Sequence, residues 1–212
     1  MGKKLLLIGG GGHCRSVLDS VRAAGIYDEF GIIDFAEGGC AGVPVIGRDE
    51  DIPRLVREGW TDGIITVGSA GDTGIRRRLY AMLKEQDCGL RLPAVIDPAA
   101  AVSAGADIRE GAFIGKRAVV NTGAVIGECA IINSGAIIEH DCRIGALAHV
   151  SPGAVCCGQV QVGEGAHIGA GSAVRQLVRI GERAVIGIGS VVVKDIPAGA
   201  TAYGNPCRVV RP

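Results

Sequence analysis

With 212 residues the chain can build two modest hydrophobic cores, and its 22 basic and 22 acidic side chains cancel. A balanced charge leaves no positive field to hold nucleic acid or an anionic membrane surface, so neither partner is expected. Residues 5–8 form an apolar run that ends at the glycines, too short for a signal-peptide core or a membrane span, which points to a cytoplasmic protein without membrane insertion.

Taken in order, the first 95 residues read as a small Rossmann-like parallel α/β domain. A strand over 4–8 runs into the glycine turn 9–12, a helix follows over 13–24 with Val17, Leu18 and Val21 on one face, and a second strand covers 31–34. A helix over 51–58, a strand over 63–67 and a helix over 73–86 continue the alternation. In the last helix Ile75, Leu79, Met82 and Leu83 make the apolar face, with Arg76, Arg77 and Arg78 around it. The glycine turn joins a strand end to a helix start, where backbone N–H groups can meet phosphate oxygens, and this makes Gly10, Gly11, Gly12 and His13 candidates for a phosphate site. It departs from the dinucleotide fingerprint, because Cys14 stands where Gly or Ala would be needed. Asp34, at the end of the second strand, can accept from a ribose hydroxyl.

From 96 to 212 the pattern changes. An aliphatic residue returns every sixth position from Val102 to Val192, with Cys156 the one exception among sixteen, and a small residue often follows four places later. A period of six is the signature of a parallel β-helix, each hexad one short strand and one corner and three hexads one coil, so residues 18 apart should stack. Five of the seven aromatic residues precede position 90 and Phe113 alone lies within the repeat, as an aliphatic-filled coil would require. The eight cysteines contain no C-x-x-C pair and read as small core residues.

Within the coil, Glu139-His140-Asp141 stands out. His140 occupies an outward position, and one coil later the same place is Gly158, so the ring stays open and the Gly158 N–H can face whatever His140 acts upon. A neighbouring carboxylate can set the tautomer of a general base. His149 and His167 should stack in one column with Asn133 at the same corner a coil earlier, on a different side from His140. One site that uses all of them therefore needs a neighbouring subunit.

These segments together, Gly-Gly-Gly-Gly-His at 9–13, Ile-Ile-Asp at 32–34, Ile-Asn-Ser-Gly-Ala-Ile-Ile-Glu-His-Asp at 132–141, Ala-His-Val-Ser-Pro-Gly-Ala at 148–154 and Gly-Asn-Pro-Cys-Arg at 204–208, give the chain its likeness to a known family. It resembles the bacterial sugar O/N-acetyltransferases with a left-handed β-helix, which include sialic acid O-acetyltransferases and the N-acetyltransferases of nucleotide-linked 4-amino sugars. The resemblance implies an acetyl-CoA-dependent, homotrimeric enzyme in which His140 is the base and Asp141 orients it. It implies that Asn133 and His149 touch substrate or the acetyl group, that Gly158 polarises the thioester carbonyl, and that His149, His167, Gly187 and Gly189 lie on the acetyl-CoA side. The first domain would hold a nucleotide-linked amino sugar, with diphosphate on Gly10 to His13 and nucleoside near Asp34. Two departures are visible: Phe35 replaces a second acid after Asp34, and the turn 68–74 is longer than usual. The H-x-x-x-x-H pair of hexapeptide-repeat carbonic anhydrases is missing, and no metal is expected. Sugar O-acetylation and a catalytically silent sugar-nucleotide scaffold stay open as other readings.

Overall fold

The computed structural model describes residues 2–36 and 38–212. Strand β1 (Lys4–Ile8), helix α1 (Gly12–Ala24), β2 (Glu29–Ile33), β3 (Val45–Gly47), α2 (Ile52–Arg57), β4 (Asp62–Ile65) and α3 (Gly74–Gln86) form the first unit, and its four strands pair in parallel in the order β3-β2-β1-β4. Strand β1 is central, and Leu5 to Ile8 are all essentially inaccessible. A parallel strand covered on both faces has no polar side, which is why its sequence shows no alternation. Leu5 and Leu7 enter one core with Val17, Leu18 and Val21 of α1, whereas Leu6 and Ile8 enter the other with Ile52, Leu55 and Trp60.

The hexads then build a left-handed parallel β-helix of two-residue strands. Strands 18 residues apart pair in parallel, as in Ile137↔Val155 and His149↔His167. They line up in three sheets. The first begins at Val95–Ile96 and ends at Thr201–Gly204, which is paired antiparallel with the tail strand Cys207–Arg211. The second holds Ile137–Ile138 and the third Arg143–Ile144. The inward column of Ile114, Ile132, Val150, Ile168 and Ile186 is sealed from water, and Cys156 fills its aliphatic place at zero exposure. Each such side chain stabilises by roughly 1.5–3 kcal/mol.

The two units share their cores. Phe113 and Ile131, on the outward face of the first sheet, complete the α1 core, and Cys129 and Leu147 complete the other. Phe113 is therefore compatible with a narrow coil because it points away from the coil's interior. Helix α3 corrects the sequence reading: Ile75 is half exposed and Arg76 is buried at 2 % exposure. The helix is rotated so that Arg76 and Leu83 lie under it, and the seam that receives them contains a backbone carbonyl, that of Cys129, which needs a donor; the Arg76 guanidinium supplies it. All eight cysteines are free thiols, six of them buried. Among the described residues, no helix is long and apolar enough to cross a membrane.

Candidate active site

The corner between the second and third sheets carries the first group. The His140 Nδ1 lies 2.9 Å from Asp141 Oδ2, with both side chains more than half exposed. A carboxylate on Nδ1 holds the proton there and leaves Nε2 as the basic nitrogen. The ring lies over Gly158, where an added Cβ would meet Nε2 at 2.5 Å. Asp141 has the left-handed φ of 60° that the corner demands, and its Oδ1 sits against Gly123, where a Cβ would meet it at 2.4 Å. Glu139 turns aside to accept from Asn121 Nδ2 at 2.9 Å. The base and its carboxylate thus stand between two glycines, each 18 residues away. Only Gly158 is legible from the His140 position alone; Gly123 follows from the same stacking rule applied to Asp141.

A second group lies in the seam between the first sheet and the α/β unit. The Asn133 Oδ1 accepts from the Ser134 N–H at 2.8 Å, which turns its amide nitrogen toward His149 Nε2 at 3.1 Å. Nε2 is then an acceptor, and the Nδ1–H donates to the Ser69 carbonyl at 2.9 Å. The tautomer of His149 is set at both ends, and the ring is buried. His149 and His167 meet edge to face with centroids 5.0 Å apart. Burial, followed by the charges of His167 and Arg76, pushes His149 down to about 3, and burial with Arg76 pushes His13 to about 4. Arg76 itself is lowered to about 10 by burial, and its Nε and Nη1, together with His13 Nε2 and His167 Nδ1, have no partner among the described residues. The structure thus brings His13, Asn133, His149 and His167 to one seam and leaves His140 and Asp141 at a corner of the coil's other two sides. Ser69 and Arg76, which organise the seam, carry no local signal, since their partners lie more than 50 residues away in the chain.

The glycine turn forms the third group. Gly9 is required by the fold, with φ 108° and a Cβ position 2.4 Å from Val67. The Gly10 N–H donates to Asp34 Oδ2 at 2.5 Å, so it is engaged within the protein. Asp34 also accepts from the Ala36 N–H at 2.9 Å, and backbone N–H groups, Ala36 first, hold its carboxyl below the usual carboxylate range. Beyond Gly10, a Cβ added at Gly11 or Gly12 would meet nothing within 4 Å, and helix α1 starts with no side-chain cap and no acid in its first turn. An uncapped helix start with room beside it is the arrangement that accommodates an anion. Gly187 and Gly189 lie at the far corner of the first sheet, where Tyr203 packs on Gly187. Among the described residues no group of three or more His, Cys, Asp or Glu is placed to hold a metal ion.

Comparison with known proteins fits this arrangement. Residues 4–83 match the PglD N-terminal domain. No curated protein sequence matches the chain. Among solved structures, the acetyltransferase domain of PglB from Neisseria gonorrhoeae, in complex with acetyl coenzyme A, is 36% identical over 99% of this chain and 100% of its own, with a TM-score of 0.91. PerB from Caulobacter crescentus, in complex with CoA and GDP-perosamine, is 37% identical over 97% of this chain and 96% of its own, with a TM-score of 0.90. WeeI from Acinetobacter baumannii shares the fold at 24% identity and a TM-score of 0.78, covering 98% of this chain and 100% of its own. With the hexad coil, the glycine-turn unit in front of it and this similarity over nearly the whole length, the chain belongs to the nucleotide-amino-sugar N-acetyltransferases of the hexapeptide-repeat, left-handed β-helix family.

Proposed function

We propose that the protein transfers the acetyl group of acetyl-CoA to the amine of a nucleotide-activated amino sugar, with residues 1–95 holding the acceptor and 96–212 performing the transfer. The observation that carries this reading is the His140–Asp141 pair set over Gly158, in a chain similar throughout to enzymes described with acetyl-CoA or with CoA and GDP-perosamine. The acceptor amine attacks the thioester carbonyl carbon while His140 Nε2 takes its proton. The Gly158 N–H donates to the carbonyl oxygen as negative charge develops there. The tetrahedral intermediate then expels the CoA thiolate, which recovers a proton from His140. Asp141 keeps the imidazole aimed throughout.

A homotrimer completes the site. The seam of His13, Asn133 and His149 lies between the α/β unit, which supplies His13 and the start of α1, and the first sheet, which supplies Asn133 and His149, whereas His140 stands at the corner between the other two sheets. An acceptor anchored on Gly11, Gly12 and His13 therefore reaches the His140 of a neighbour, and acetyl-CoA lies between coils along Gly158, Gly187 and Gly189, with His149 and His167 at its inner end. Eight unpaired thiols suit the reducing cytoplasm. The test is kcat/KM for a nucleotide-linked amino sugar against the same sugar without its nucleotide, and against a hydroxy sugar. A preference of tenfold or more for the nucleotide-linked amine supports the reading; equal values for the free sugar, or a preference for the hydroxyl, replaces it. Light scattering that shows an active monomer refutes the shared site.

A further inference from the structure

The nucleotide end of the first unit carries a feature that the acetyl-transfer reading leaves unused. Gly10, Gly11, Asp34, Ala36, Gly39 and Val45 line a cavity of ≈ 170 Å³, below the roughly 300–1,000 Å³ of a pocket that encloses a whole ligand. That is room for a ribose or a phosphate and not for a whole nucleotide, so the base of a nucleotide held there would lie across the rim. Phe35 falls in the chain between the lining residues Asp34 and Ala36, with 68 % of its surface exposed although its side chain has no polar atom to justify the exposure. The Asp34 N–H donates to the Gly47 carbonyl at 3.2 Å, which holds the ends of β2 and β3 side by side and brings Arg48 next to Phe35. The Arg48 guanidinium carbon is 5.9 Å from the centre of the Phe35 ring. Direct stacking of the two would bring them closer, and a planar ring inserted between them needs about 7–8 Å, two contact distances of about 3.5–4 Å. Arg48 is exposed and on a flexible stem, so a small outward movement opens the gap.

We propose that Phe35 and Arg48 are the nucleobase seat of the acceptor, a stacking clamp that selects purine over pyrimidine nucleoside diphosphates. This rests on the proposed function, in that it assigns the base of the same acceptor. The residue after Asp34 has no hydrogen-bonding atom with which to read the edge of a base, so it offers ring area, and a fused purine covers more of Phe35 and of the guanidinium than a single pyrimidine ring does. Base stacking on an aromatic side chain is sequence-tolerant yet grows with overlap, and its loss weakens binding by about 5- to 150-fold.

The experiment is equilibrium binding of GDP, ADP, UDP and CDP to the full-length protein by calorimetry, for wild type, Phe35→Ala, Phe35→Trp and Arg48→Ala. Tighter binding of both purine nucleotides by about fivefold or more supports the clamp. Phe35→Ala should abolish that preference while leaving UDP and CDP within about threefold, and Phe35→Trp should keep it. Arg48→Ala should weaken the purines in the same sense by a smaller factor. Purines and pyrimidines that bind equally to wild type, or a Phe35→Ala loss equal for all four, would mean that Phe35 and Arg48 are only a surface pair; the function of the site would stand and the clamp would fall. Binding of no nucleotide, together with acetylation of a free amino sugar, overturns both.

Discussion

Glycines in the hexads divide by what a side chain would strike. At Gly127, Gly145 and Gly163 an added Cβ would lie 2.5–2.6 Å from a backbone nitrogen of the next coil, which cannot retreat. At Gly158 the nearest atoms it would meet belong to the exposed ring of His140. Gly145→Ala should therefore lower stability by about 1–3 kcal/mol, as overpacking against a fixed backbone does. Gly158→Ala should fold as wild type and still lose about 10²-fold or more in kcat, because the base is displaced from its place. Urea melts paired with steady-state rates separate the two, and full activity in Gly158→Ala would remove His140 from the mechanism. His140→Ala should lower turnover by about 10²- to 10⁴-fold with little change in acetyl-CoA affinity, and Asp141→Asn should do less in the same direction.

Helix α3 and the first sheet act as one element pair. A surface arginine is worth little, whereas Arg76 lies under its helix and donates to the Cys129 carbonyl across the seam. Arg76→Ala should cost about 2–4 kcal/mol, through the void and the orphaned carbonyl. Arg76→Met, which keeps the volume and removes a buried charge without a carboxylate partner, should cost less. A change within about 0.5 kcal/mol for Arg76→Ala, the value of an exposed position, would contradict the burial. A second tie between the units is Asp97, which accepts from Ser20 Oγ at 2.6 Å and from Lys116 Nζ at 3.0 Å. Since α1 also presents the glycine turn, this tie positions the acceptor end relative to the coil.

Across the whole molecule the buried imidazoles couple stability to pH. His13 and His149 titrate in the folded state near 4 and 3, below the ordinary 6.5. Below 6.5 the unfolded chain therefore binds more protons than the folded one, and stability, complete above that pH, falls as the solution is acidified toward the folded values. Each imidazole contributes a slope of up to about 1.4 kcal/mol per pH unit. Urea midpoints compared at pH 7.5 and 5 should show the loss, and a His13→Asn, His149→Asn double variant should reduce it; equal slopes would refute neutral, buried rings. At the level of assembly, co-expressed His140→Ala and His149→Ala subunits, each inactive alone, should recover activity by pairing an intact corner with an intact seam. No recovery in mixed oligomers would place both histidines in one subunit's site.

Period and pairing were legible from residues alone because both are local. A repeat of six states where every inward aliphatic goes, and stacking at 18 residues follows from it, so His140 over Gly158 and His149 on His167 are written in the sequence itself. The strand-glycine-helix start of the first unit was legible for the same reason. Contact between the units decided the rest. The outward sides of Phe113 and Ile131 became core, Arg76 turned inward to satisfy a carbonyl 53 residues away, and Ser69 set the tautomer of a histidine 80 residues on. None of these leaves a periodic trace, since a side chain's choice between solvent and seam depends on which surface a distant segment presents to it, and only the folded chain determines that.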